Sequence, residues 1–157
     1  MSRSIRTFAR AGAVSAISIG IAAGIAVTPA EAAPAPHATF GIVAEGTGYS
    51  WIPVDAVFPM SQAAAQDAIN HGYHVEMRLW GDDPSSDDLQ FTYPNANISA
   101  QADGLHASRS ARVPNSVLNE DDSWTDNTDE LYVGVRVVGP NGNVALKVES
   151  NHITGRF

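Results

Sequence analysis

The stretch LYVGVRVVGPNGNVALKV, residues 131–148, decides the fold of this chain. Apolar side chains alternate with small or polar ones from Leu131 to Val138 and again from Val144 to Val148. This period of two is typical of strands that bury one face. Between the two runs, Asn141-Gly142 favours the positive backbone angles of a tight turn. The stretch therefore predicts an antiparallel hairpin with its apolar side chains on one face.

Other strands follow from the same pattern upstream. The clearest one runs from Tyr73 to Trp80, where every second side chain from Tyr73 onward is apolar and faces the predicted core. Weaker strand patterns cover residues 37–43, 49–54 and 105–113. Short strands separated by turn residues favour an antiparallel sandwich.

One segment, from Met60 to Tyr73, favours a helix. Ser61 can cap its start, the alanines that follow favour helix, and Gly72 can end it in left-handed geometry. Its apolar side chains fall on one side, so we expect the helix to pack on a sheet. The predicted fold class is mainly β: an antiparallel β-sandwich with one short helix packed on a sheet.

The first 32 residues have the features of a secretory signal peptide. Three arginines precede an apolar run, residues 13–27, and Ala30-Glu31-Ala32 offers small residues before a cleavage point. An apolar run of about 15 residues is too short to span a membrane, so we expect no transmembrane anchor after leader removal. The predicted organisation is a signal peptide over 1–32, a Pro/Ala spacer over 33–36 and a single β-sandwich domain over 37–157 of a secreted protein.

The chain is acidic and contains no cysteine. Its formal net charge is −8, and beyond residue 32 six basic residues stand against 16 acidic ones, which gives −10. Nucleic acid and anionic lipid carry the same sign of charge, so neither is an expected partner. The expected partners are an extracellular protein, a glycan or a cation. The lack of cysteine excludes thiolate metal sites and thiol nucleophiles.

Two acidic runs flank the two clearest strands. One follows the strand that ends at Trp80, and the other precedes the strand that begins at Leu131. In an antiparallel sheet both runs can lie at one rim, where a bound calcium ion, accepting roughly six to eight oxygens, would relieve their repulsion. The candidate metal ligands are Asp82, Asp83, Asp87, Asp88, Asp121, Asp122 and Asp126.

The first run, within RLWGDDPSSDDL over residues 78–89, resembles the acidic loop of calcium-binding sandwich domains of the C-two class. In that loop a strand leads into spaced aspartates and ends in a paired acid before an apolar residue. The resemblance implies calcium ligation by Asp82, Asp83, Asp87 and Asp88. It does not extend to membrane binding, because the basic residues that contact lipid are missing nearby. The whole chain also resembles small secreted bacterial proteins with no assigned activity.

Two other interpretations of these polar residues stay open. Aspartate, asparagine, serine and proline are turn residues, so both acidic runs could be solvated loops without a ligand. His71, His74 and Glu76 offer nitrogen and oxygen ligands for zinc, although the first two are not held on one continuous helix.

The aromatic residues give the remaining functional signal. Trp51, Trp80 and Trp124 could form a platform for a sugar or a protein, while the alternative for Trp80 is packing beneath the helix.

No G-x-S-x-G turn or other local catalytic signature occurs. We therefore predict a secreted binding or interaction module of unknown ligand, with a candidate calcium site at its acidic rim. The alternative is a small extracellular hydrolase that uses rim carboxylates or a histidine.

Overall fold

Strands with alternating burial build the fold in the computed structural model, which describes residues 33–46, 48–82, 86–119 and 128–157. Within these residues two helices, α1 (Gln62–Asn70) and α2 (Asn115–Leu118), accompany ten strands. The strands are β1 (His37–Phe40), β2 (Val43–Ala44), β3 (Tyr49–Pro59), β4 (His74–Gly81), β5 (Asp88–Thr92), β6 (Asn97–Gln101), β7 (Gly104–Pro114), β8 (Asp129–Val138), β9 (Val144–Glu149) and β10 (Ile153–Gly155). The predicted leader, residues 1–32, lies outside the described residues.

The strands form two antiparallel sheets. Sheet A has the order β1-β3-β7-β6, and β2 also pairs with β3. Sheet B has the order β10-β8-β4-β5, and β9 also pairs with β8. The antiparallel sandwich predicted from the alternation is confirmed. The one-turn helix α2 and the strands β5, β6 and β10 are additions that the sequence pattern did not predict.

The core lies between the facing sides of the two sheets. In β3, even-numbered side chains from Ser50 to Phe58 are buried, and in β4 the odd-numbered ones from Val75 to Leu79 are buried. The odd-numbered positions of β8, from Asp129 to Val137, are buried too. The even-numbered side chains of β4 and β8 therefore point to the outer face of sheet B.

The helix forms where the sequence predicts it, slightly shorter at each end. Ser61 caps it by accepting a hydrogen bond from the amide of Ala64 at 3.2 Å. Gly72 ends it with a φ of +81°, and Tyr73 donates its amide to the carbonyl of Ala68 at 3.1 Å. The helix packs against β6 and β7 of sheet A.

The hairpin joining β8 and β9 is confirmed, but its predicted turn is wrong. Gly142 donates its amide to the Gly139 carbonyl at 2.9 Å, and only Gly142 of the turn residues has a positive φ, of +78°. Pro140 explains the difference, because its fixed φ favours the first central position of a type I turn. Asn141 then takes the second central position with a negative φ, and Gly142 alone supplies the left-handed residue.

A side chain ties the two sheets together at one edge. Asn151, which follows β9, accepts a hydrogen bond from the amide of Phe40 at 2.9 Å and donates one to its carbonyl at 3.2 Å. The Asn151 amide thereby pairs with the β1 backbone as a neighbouring strand would. Among the described residues, no helix is both long and apolar enough to cross a bilayer.

Candidate functional site

Three cross-strand rows of polar and aromatic side chains cover the outer face of sheet B. All of their residues except Glu76 line a solvent-open cleft of about 190 Å³, called here the sheet B cleft. Neighbouring strands bring these side chains together because directly opposed residues of an antiparallel pair lie on the same face. The rows are Glu76–Arg136–Lys147, Arg78–Gly134–Glu149 and Trp80–Tyr132.

The indole of Trp80 lies over Gly134 of the neighbouring strand. A Cβ atom at position 134 would stand 3.2 Å from Nε1 of Trp80, closer than an ordinary contact. Glycine at this position therefore lets the indole approach the sheet. Trp80 keeps part of its surface exposed to solvent at the cleft.

Glu76 is held by two arginines. Its Oε2 accepts hydrogen bonds from Nε and Nη2 of Arg136, at 2.8 and 2.6 Å, and a longer one from Nη2 of Arg78 at 3.3 Å. The hydrogen bond from Arg136 is the main cause that lowers the pKa of Glu76, and the charges of both arginines act in the same direction. This carboxylate therefore stays ionised and positioned at neutral pH.

Positive charge in the cleft is only partly compensated. Lys147 is exposed, lies directly opposite Arg136, and makes no ion pair with any described residue. Like charges in opposed cross-strand positions are destabilising. Nε of Arg78 is buried and has no acceptor within the described ranges, a loss that costs about 1–3 kcal/mol for a shielded donor.

The other end of the cleft is acidic and aromatic. Tyr132 donates its hydroxyl to Oδ2 of Asp87 at 2.7 Å, and its ring stacks on His152 with centroids 4.9 Å apart and planes at 13°. Nδ1 of His152 lies 2.9 Å from Oδ2 of Asp82. Burial, followed by the hydrogen bond to Asp87, raises the pKa of Tyr132, so the phenol stays protonated.

The described ends of the two acidic runs lie at one rim of sheet B. The amide of Asp82 donates to the carbonyl of Glu130 at 2.7 Å, and Asp88, the first residue of β5, pairs with Gly81. Among the candidate metal ligands, Asp83, Asp121, Asp122 and Asp126 lie outside the described residues. The part of the chain that the structure describes contains no cluster of three histidines or carboxylates that could hold a metal.

That same finding means that His71, His74 and Glu76 do not converge on a zinc site. His71 instead caps α1, with Nδ1 2.8 Å from the carbonyl oxygen of Asp67. His74 lies beside Glu76, with Nε2 3.6 Å from Oε1.

The three-tryptophan platform does not form as predicted. Trp51 is 43% exposed on the outer face of sheet A, whereas Trp80 lies on the outer face of sheet B. The two indoles are on opposite sides of the sandwich, and Trp124 is outside the described residues. The alternative, in which Trp80 packs beneath the helix, is wrong as well, because α1 packs on sheet A. The partner of Trp80 is Gly134.

Comparison with known proteins assigns the chain to no family. No family model and no curated protein matches the chain. Two solved structures of β-glucosidase 3B from Thermotoga neapolitana, one with glycerol and one with glucose, align over 78% of this chain and 17% of that chain. The identity is 10% and the TM-score is 0.34, which is too low to show a shared fold.

Proposed function

We propose that this protein is a secreted glycan-binding module and that the sheet B cleft holds one sugar ring. The partly exposed indole of Trp80, lying over Gly134 beside charged side chains, is the observation that carries the proposal. A pyranose presents an apolar face of C–H groups, which suits an aromatic ring, and a rim of hydroxyls, which suits hydrogen-bonding side chains. Arg78 and Glu149, which line the cleft beside this indole, supply a donor and an acceptor for such hydroxyls.

The size of the cleft agrees with a single exposed ring. Its volume, about 190 Å³, is below the roughly 300–1,000 Å³ of pockets that enclose whole small molecules. A glycan chain could lie across such an open surface with one ring in contact with Trp80. Glu76 does not suit the role of a glycosidase general acid, which needs a raised pKa, because the pKa of Glu76 is lowered by Arg136.

A pair of tryptophan variants tests the proposal. Trp80→Ala and Trp51→Ala make the same change on opposite faces of the sandwich, and Trp51 is the matched control. Affinity electrophoresis against a panel of neutral and acidic polysaccharides should show binding by the wild-type chain, weakened about tenfold or more in Trp80→Ala and unchanged in Trp51→Ala. Gly134→Val, which fills the space beneath the indole, should weaken binding as well.

The glycan proposal fails if no polysaccharide of the panel binds. It also fails if Trp51→Ala loses binding and Trp80→Ala keeps it. Thermal melts of all three variants check that the sandwich is folded in each case. A protein partner instead of a glycan would be indicated by panel-wide failure together with Trp80-dependent binding to an extracellular protein.

A calcium site at the acidic rim is a second proposal. It is favoured by the backbone hydrogen bond between Asp82 and Glu130, which brings the described ends of the two acidic runs to one rim. Calcium that binds only the folded chain would raise the melting midpoint with concentration. The rise should be smaller in Asp87→Ala. Because Asp87 also accepts the hydroxyl of Tyr132, Tyr132→Phe is the control: it removes that hydrogen bond and keeps the carboxylate. No shift in the wild-type chain at millimolar calcium would exclude the site.

A further inference from the structure

Positive charge is concentrated at the sheet B cleft of an otherwise acidic chain. The whole chain has a formal net charge of −8, yet three of the six basic residues beyond residue 32 line this one cleft. These are Arg78, Arg136 and Lys147. Among the described residues Glu149 is the one carboxylate of the lining, and Glu76 beside it pairs with the two arginines but not with Lys147. A neutral sugar needs no such concentration of cations.

The cationic side chains of the cleft differ in whether they have an ion-pair partner. Glu76 occupies Nε and Nη2 of Arg136, but Lys147 in the same row has no ion-pair partner among the described residues. An anionic group placed beside Lys147 would supply this ammonium with the kind of partner that Glu76 supplies to Arg136. The row therefore has a position for one further negative charge.

The aspartates at the opposite end of the cleft determine how such a ligand would be oriented. Asp82 and Asp87 lie around the Tyr132–His152 stack, so a negative group is repelled there and hydroxyls are accepted. The indole of Trp80 reaches over Gly134 of the middle row, so a ring lying on it would have its acidic substituent toward Lys147 and its hydroxyls toward the aspartates. The net charge of the chain disfavours dense polyanions, which leaves a ligand with one acidic group at the cleft.

We infer that the sugar ring bound in the sheet B cleft carries a carboxylate, as a uronic acid does, and that Lys147 pairs with it. This inference rests on the proposed glycan binding and names its ligand class. It assigns the specificity for charge to Lys147 and the stacking contact to Trp80. The two contributions can be removed separately, because the two residues lie on different strands and in different rows.

Trigalacturonic acid and its methyl ester test the inference on the full chain. The ester keeps the rings and removes the charge, so the pair isolates the carboxylate. Isothermal titration calorimetry should show the acid binding about tenfold more tightly than the ester, the gain expected of one charge-assisted contact. Lys147→Gln should remove this preference and Lys147→Arg should keep it. Lys147 is exposed, and neither substitution opens the core.

The results separate this inference from the proposed function. If acid and ester bind equally, or if only neutral glycans bind and do so through Trp80, the carboxylate inference is overturned and glycan binding stands. If Lys147→Gln keeps the full preference for the acid, the assignment of Lys147 is overturned. If no glycan of the earlier panel binds, both the inference and the proposed function fail. Loss of the acid preference at raised ionic strength supports the charge pairing.

Discussion

The hydroxyls of Tyr93 and Tyr132 differ in whether they have a hydrogen-bond partner, and removing each one tests that difference. The hydroxyl of Tyr93 is buried and has no partner within the described ranges, and this burial raises its pKa. The hydroxyl of Tyr132 donates to Asp87 at 2.7 Å. Tyr93→Phe should leave the free energy of unfolding unchanged or raise it by up to about 1 kcal/mol, because a buried donor without an acceptor is removed. Tyr132→Phe should lower it by about 1 kcal/mol.

Urea denaturation of the two variants measures both effects under one condition. The substitutions are chemically identical, so any difference between them comes from the environment of the hydroxyl. A Tyr93→Phe variant that loses more stability than Tyr132→Phe would contradict the assignment of partners.

The lowered pKa of Glu76 should make the free energy of unfolding depend on pH in the acidic range. Its pKa is lowered by Arg136 relative to an ordinary value near 4.5, so its stabilisation is present above about pH 4.5 and is lost as the pH falls through the lower folded value. Glu76→Gln should be less stable than wild type at pH 7, and the difference should shrink in acid. Denaturation midpoints from pH 7 to pH 3 measure this convergence.

Arg136→Gln provides the reciprocal control for Glu76. It removes the main cause of the lowered pKa, so it should flatten the same part of the pH profile. Parallel profiles for wild type and Glu76→Gln across the whole range would show that the ion pair contributes nothing that depends on protonation.

At the scale of elements, strands with a complete period-two pattern were predicted from their own side chains. This holds for β4 and β8, where the pattern comes from a single buried face. The strands β5, β6 and β10 are short and half exposed, so their own sequences contain little of that pattern. Their backbones are ordered by hydrogen bonds to neighbours, a cause that a reading of one segment cannot detect.

The turn of the β8–β9 hairpin offers a test that separates the predicted geometry from the observed one. Within this turn only Gly142 has a positive φ, so Gly142→Ala should cost about 1 kcal/mol, while Asn141→Ala should stay within about 0.5 kcal/mol of wild type. In the two-residue turn expected from Asn-Gly, both positions would need a positive φ and both substitutions would be costly. Thermal melts of the two variants decide between the turns, and equal losses would favour the predicted one.

At the scale of the whole molecule, the candidate site depends on pairings that no single segment encodes. The sequence placed Tyr132, Gly134 and Arg136 on the outward face of one strand and Glu76 and Trp80 on that of another. It did not predict the register that sets Trp80 beside Tyr132 or Lys147 beside Arg136. Register is fixed by the shared core and by the turn. The residues that line the cleft therefore could not be predicted from any single strand.

A final prediction concerns what the first described strand contributes to the stability of the sandwich. Within the described residues the main apolar cluster begins at Ala38, and residues 33–36 are exposed and form no helix or strand. A chain starting at Ala33 keeps these core residues and lacks only the predicted leader, so we expect it to unfold in one transition, with a midpoint within about 2 °C of the full chain. Removing residues 1–40 instead deletes β1, takes the Phe40 side chain out of the core and leaves Asn151 without its backbone partner, at a cost of about 3–5 kcal/mol.

Asn151→Ala in the full chain separates the two parts of that cost, because it removes the hydrogen bonds to Phe40 and keeps the ring in the core. Its loss should be about 1–3 kcal/mol, well below that of the deletion to residue 40. Calorimetry of the three chains measures the order. If deletion to residue 40 proves as mild as starting at Ala33, β1 adds nothing to the sandwich. A loss in Asn151→Ala equal to that of the deletion would mean that this one amide, and not the buried Phe40 ring, holds β1 against sheet B.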